Sequence, residues 1–297
     1  MHSIGATDPD CCSAARPRLD PHRLTGLALM RLFFRFLLAA ALCLGSPAHA
    51  LDDSHAAWDA LLKKHVAWQA GGHESMVSYA GFKQDRNALN GYLAALSGVS
   101  EPQFKAWSKP QQLAFLINAY NAYTVDLILT RYPDLGSIRD LGSLLSSPWK
   151  KRFIVLLGQP RSLDDIEHGM IRARGAYDDP RIHMAVNCAS IGCPALRPEA
   201  YVAPRLDAQL DDQVARFMGD RTRNRFDPQT RRLQVSRIFD WYGDDFRQGH
   251  RGFDSLESFL ARHASALADR PEDQQAVRER KAKISFLEYD WALNDPR

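Results

Sequence analysis

The chain has 297 residues, 45% hydrophobic and 25% charged, and its 38 Lys/Arg against 35 Asp/Glu give a formal net charge of +3. This is the composition of an ordinary globular protein with enough length for a sizeable core. So even a charge balance argues against the clustered basic surface that a nucleic-acid footprint needs, and no nucleic-acid partner is expected.

Met30 opens the string MRLFFRFLLAAALCLGSPAHA, in which Arg31 and Arg35 precede an apolar run from Phe36 to Leu44, and Ala48-His49-Ala50 supplies a small-residue pattern. These zones predict a secretory signal peptide over 30–50, cleaved after Ala50. A membrane-spanning helix would need roughly 20 apolar residues, and the uncharged run is well short of that. Residues 1–29 lack an apolar period and precede a complete leader with its own Met, so they read as an upstream extension from a start codon assigned too early. The expected mature protein, 51–297, is almost neutral, exported to the periplasm or secreted, and without a stable membrane span after cleavage. Of the cysteines it keeps Cys188 and Cys193, in a compartment that tolerates disulfides.

In the mature chain, Ser54 is placed to cap a helix bearing Trp58, Leu61, Leu62, His65 and Val66, ended by Gly71-Gly72. A short extended piece at Val77-Ser78-Tyr79 precedes a second helix through Leu89, Tyr92, Leu93 and Leu96, stopping near Gly98. Ser108, with Pro110 in the first turn, starts a long helix through QQLAFLINAYNAYTVDLIL to about Arg131; its apolar residues recur almost all round, which predicts burial. Phe153 to Leu157 and Arg161 flank Gly158-Gln159-Pro160 as a small hairpin. Ser162 and Asp165 form a capping-box-like start for a helix over Leu163 to Ala173. Asp179-Pro180 breaks the chain before Arg181 to Val186, whose alternation predicts a strand. Leu206, Leu210, Val214 and Phe217 mark a further helix. A second hairpin turns at Asp227-Pro228-Gln229-Thr230, with Leu233 and Val235 on the return strand. Phe253 to Leu267 and Gln274 to Lys281 read as helical, and Ile284 to Tyr289 as a last strand. The expected fold class is α+β, a predominantly helical single domain with short antiparallel strands and hairpins.

Side chains suited to chemistry collect in DPRIHMAVNCASIGCPAL, Asp179 to Leu196. Cys188 is the natural nucleophile, because a neighbouring His can lower a thiol pKa from about 8.5 into the working range. His183 is nearest in sequence, yet five residues of strand span about 17 Å at roughly 3.3 Å each, and the odd separation puts the two side chains on opposite faces. That favours His168, on the polar face of its helix with Asp164, Asp165 and Arg172, with Asp290 or Asn294 to orient its ring. The alternative is that His168 is a solvated surface residue paired with Asp164 or Asp165. A second reading joins Cys188 to Cys193 through a turn at Gly192-Cys193-Pro194; so short a loop contributes about 2 kcal/mol by chain entropy. Zinc held by His183, Cys188 and Cys193 comes last, since the spacing fits no common pattern and supplies three ligands, so neither metal nor cofactor is expected.

Asn118 and Asn121 sit almost one turn apart in an otherwise apolar helix. They either lock it to the Cys188 loop or line a pocket, where Asn121 or Ser190 would contribute to an oxyanion site. The structural role is preferred. Arg172 and Arg181 invite a carboxylate ligand, although Asp179 or Asp290 would explain them equally. Trp241, Tyr242, Phe246, Tyr289 and Trp291 are expected to pack in the core rather than to bind sugar.

The same segment, with SLDDIEH before it, SRIFDWYGDDF after it and YDWALN at the end, resembles the domain of unknown function 547 family, from about Leu113 to Asn294 and in the family's order. By that resemblance His168, His183, Cys188, Ser190 and Cys193 fall at positions of the family's motif, which is an analogy and does not name a reaction. The resulting expectation is a cysteine-dependent hydrolase or acyl transferase acting on an amide or ester. Its substrate would be a small molecule, a peptide or a cell-envelope component. The rival is a non-enzymatic periplasmic interaction module with a Cys188–Cys193 disulfide.

Overall fold

The computed structural model describes residues 51–143 and 146–296. The expected extension over 1–29 and leader over 30–50 lie outside the described residues. Helices dominate: α1 (Ala56–His65), α2 (Tyr79–Gln84), α3 (Arg86–Ser97), α4 (Glu101–Ala106) and α5 (Lys109–Leu129) succeed one another in the first half. A hairpin of β1 (Val66–Trp68) and β2 (Ser75–Val77) is inserted after α1. Ser54 is not the first cap; His55 takes that place in the left-handed region, at φ 51°. Its ring is buried and bonds the Tyr92 hydroxyl through Nδ1 at 2.7 Å.

The helix α5 is the axis of the larger apolar cluster, and it is buried on every side from Gln112 to Val125. Ser108 and Gln111 close its N-terminus in a full capping box, with Pro110 in the first turn where its missing N–H costs nothing. A helix apolar all round has no solvent face, so its polar residues must find partners inside.

The strands β3 (Ile154–Leu156) and β4 (Gln159–Arg161) form the expected hairpin, with Leu157 at φ 54° and Gly158 at φ 74° as its two-residue turn. Beyond it, α6 (Leu163–Ile166) starts from the Ser162–Asp165 capping box and widens into a π-turn over Glu167–Ile171. The next helix, α7 (Leu206–Gly219), carries the smaller apolar cluster with the hairpin β5 (Arg225–Asp227) and β6 (Arg232–Val235). Then follow α8 (Ile238–Trp241), α9 (Leu256–Arg262), α10 (Ala264–Leu267), α11 (Pro271–Arg278) and β7 (Lys283–Phe286). The fold class is α+β, as expected, with one departure: β7 pairs with β6 in parallel.

The segment Arg181–Val186 is not a strand. Pro180–Met184 is a 3-10 helix, opened by Asp179 accepting the Arg181 amide at 3.0 Å. Alternation failed as a signal because every residue from Pro180 to Asn187 is buried, polar ones included. Arg181 is tolerated there because Asp179, Asp207 and Asp211 all bind its guanidinium, at 2.5 to 2.7 Å for the closest atom pairs.

Candidate functional site

The loop carrying the cysteines is held from both sides. From α5, Asn121 accepts the Asn187 amide at 2.8 Å and donates to the Ala185 carbonyl at 3.0 Å. Asn187 donates in turn to the Pro194 carbonyl at 2.8 Å, closing the loop at its base. Asn118 makes the same two-bond clamp on the backbone of Tyr201, at 2.7 and 3.0 Å. Neither amide lines a cavity with Cys188, in keeping with the structural role preferred for them.

The C-terminal segment lies along the other side. Ile191 donates to the Ala292 carbonyl, Gly192 to that of Asp290 and Asn294 to that of Ala189, at 2.8, 2.8 and 3.1 Å. Gly192 is required here, because a Cβ would stand 2.9 Å from the Asp290 carbonyl oxygen. This pairing brings Tyr289 onto the sulfurs. Cys188 and Cys193 are joined as a disulfide with Cα atoms 6.2 Å apart, and the Tyr289 hydroxyl lies 3.0 Å from each sulfur. Cys193 is buried and Cys188 half-buried.

The disulfide borders a cavity of about 310 Å³ whose walls include Trp149, Trp241, Tyr242, Tyr289 and Trp291, with Glu167, His168 and His183 among the polar lining. The expected core packing of the aromatic motifs therefore holds for Phe246, fully buried, but not for Trp241, which is 45% exposed. Tertiary folding brings SRIFDWYGDDF and YDWALN together at one opening. There Trp241 stacks on Trp291 with centroids 5.7 Å apart.

His183 and Cys188 both line this cavity, and the 3-10 turn removes the extended strand from which their separation was derived. His183 is 2% exposed and gives Nε2 to Asp245 at 2.7 Å, while its buried Nδ1 has no hydrogen-bond partner among the described residues. Tyr242 stacks on the ring at 4.1 Å. Burial holds the imidazole below its ordinary pKa, opposed by the hydrogen bond to Asp245. Burial would raise the Asp245 carboxyl, but hydrogen bonds from His183 and Arg172 outweigh it and keep the group well below the carboxylate range.

His168 also borders the cavity, at its edge. Its side chain is 40% exposed, Nδ1 lies 2.6 Å from Arg172 Nη1, and Nε2 lies 3.7 Å from Asp164. The π-turn displaces it from the position that a regular helix would give. Asp290 and Asn294 do not orient either ring: Asp290 is exposed and accepts the Ala292 amide, while buried Asn294 accepts the Tyr79 hydroxyl at 2.8 Å. Ser190 is buried behind the disulfide, its hydroxyl directed at the Cys188 carbonyl at 3.4 Å. Arg172 is bound by Asp245 rather than Asp179 or Asp290, through Nε at 2.7 Å and Nη2 at 3.1 Å. Asp245 was not among the residues singled out from the sequence. It stands 62 positions from His183, and nothing local to SRIFDWYGDDF ties it to that ring. Among the described residues no group of three or more His, Cys, Asp or Glu is placed to hold a metal ion, and Cys188 and Cys193 are bonded to each other.

Fold and site together define an α+β domain with an aromatic cavity beside a half-buried disulfide and a carboxylate-bound imidazole. The family model for "Protein of unknown function, DUF547" matches residues 104–218, which lie largely within the span over which the sequence resembles that family. The matched stretch carries α5, His168, His183 and both cysteines, whereas Trp241, Tyr242, Asp245, Tyr289 and Trp291 lie beyond it. No curated protein and no solved structure matches the chain.

Proposed function

We propose that this is a thiol-dependent acyl hydrolase or acyl transferase whose nucleophile, Cys188, is unmasked by reduction of its bond to Cys193. One observation carries the reading: His183, a buried imidazole fixed by the Asp245 carboxylate through Nε2, lines the same cavity as Cys188. His183 thus takes the base role given from sequence to His168, and Asp245 the orienting role given to Asp290 or Asn294.

A dithiol reductant supplies two electrons and two protons, opening the disulfide to two thiols and leaving as a disulfide itself. His183 Nδ1 then takes the Cys188 proton, and the thiolate attacks the carbonyl carbon of an ester or amide. Collapse breaks the bond to the alcohol or amine, which leaves with the proton from His183. Water or another acceptor next attacks the thioester, giving its proton to His183 and restoring the thiol. The Cys188 amide donates to Cys193 Sγ at 2.9 Å while the bond is intact; opening it releases this donor beside the nucleophile, where it can face a developing oxyanion.

The disulfide itself supports export, since such bonds persist in oxidising compartments. It also favours the rival reading, an interaction module in which the bonded pair only shapes the loop. Alkylation of the purified protein separates them. After mild reduction Cys188 should react with iodoacetamide faster than Cys193 near neutral pH and should cleave a thiol-reactive acyl ester. His183→Ala should slow both reactions at least tenfold, and His168→Ala by much less. Equal labelling of the two thiols, or rates indifferent to His183, would leave the module as the better account.

A further inference from the structure

The aromatic cavity contains a buried carboxyl group that forms no ion pair among the described residues, although the exposed Lys150 also lines the cavity. Glu167 is 5% exposed and lines the cavity, yet among the described residues no Lys, Arg or His forms an ion pair with it. Arg172, which interacts electrostatically with Glu167, is already bound twice by Asp245. The hydroxyls of Tyr120 and Tyr242 interact with the Glu167 carboxyl group. A buried carboxyl group without an ion-pair partner is a site where a cationic ligand would be favoured.

The walls fit such a group. Ring faces are electron-rich and attract cations, most strongly in Trp. Two rings here already do so within the chain: Arg139 lies over Trp291 at 5.3 Å and Arg172 over Tyr242 at 4.7 Å. Trp241, exposed at the opening, and Trp149 also line the cavity, and Asp164 adds a second carboxylate.

From the aromatic walls and the buried Glu167 carboxyl group, we infer that this cavity binds an organic ammonium group, which makes the substrate of the site a cationic molecule. The inference deepens the thiol reading by naming its substrate class, but the binding itself needs no free thiol. It is therefore tested on the oxidised protein. Choline and its neutral isostere 3,3-dimethylbutan-1-ol are titrated against the tryptophan fluorescence of the intact protein, with calorimetry alongside. Choline should bind saturably and roughly tenfold or more tighter than the isostere. Glu167→Gln should lose that preference. Trp241→Ala, an exposed substitution, should weaken choline at least several-fold and decides the matter if the Glu167 variant does not fold. Equal binding of the two probes, no saturation, or saturable binding of N-acetylglucosamine in place of choline overturns the inference. None of these outcomes bears on whether Cys188 becomes reactive after reduction.

Discussion

Replacing Asn121 by Leu tests the clamp between α5 and the disulfide loop. The substitution keeps the number of side-chain heavy atoms but removes the bond to the Ala185 carbonyl at 3.0 Å and that from the Asn187 amide at 2.8 Å. Asn121 is 2% exposed and the neighbourhood is closed, so water cannot readily replace the amide. Each backbone group left unsatisfied costs about 1 to 3 kcal/mol, giving about 2 to 6 kcal/mol for the pair. In a domain of this size 1 kcal/mol shifts Tm by about 2 to 4 °C, so the melting temperature should fall by roughly 4 to 24 °C. Thermal unfolding of the oxidised protein, followed by circular dichroism, measures this. Gln103→Leu on the exposed face of α4 is the control, expected within about 0.5 kcal/mol of wild type. A shift no larger than the control's would refute the clamp.

The Asn118→Leu variant severs an equivalent pair of bonds to Tyr201 and should destabilise by a similar amount, read in the same unfolding assay. Burial lowers the His55 pKa to about 4, against 6.5 for the free group, while Asp52 and Asp53 oppose the shift. Because the unfolded chain binds this proton first, the stability contribution is fully present above 6.5 and is lost as pH falls towards 4, by about 3 kcal/mol. Urea unfolding across that window should show the loss, and His55→Phe should flatten it. Asp245→Asn should slow Cys188 alkylation after reduction several-fold, because His183 loses the carboxylate that fixes its ring; unchanged kinetics would remove Asp245 from the site. N-terminal sequencing of exported material should begin at Leu51; protein retaining 30–50 would contradict cleavage.

Residues close in sequence were legible where a local rule governs them. The cap at Ser108, the capping box at Ser162, the buried run of α5 and two of the three hairpins followed from spacing and turn chemistry alone, since these depend on neighbours within a few positions, whereas the β1–β2 hairpin was not expected. The motifs also marked Cys188, His168 and His183 as residues that a site would use, and all three line one cavity. Where local rules misled, burial had overridden them. Arg181–Val186 alternates like a strand, yet Asp179, Asp207, Asp211 and Asp245 allow its polar side chains to be buried as well, and a 3-10 turn results.

The sequence by itself determined the α+β class, the helical majority and the family whose model matches residues 104–218, because each is written in short-range pattern or motif. Only the tertiary structure decided which His is buried against a carboxylate, that the aromatic motifs open onto a cavity, and that Tyr289 meets the disulfide. The His183–Asp245 and Cys188–Tyr289 pairings join positions 62 and 101 residues apart, and they are fixed by the packing of α5 and the C-terminal segment around the cysteine loop rather than by anything either partner carries in its own neighbourhood.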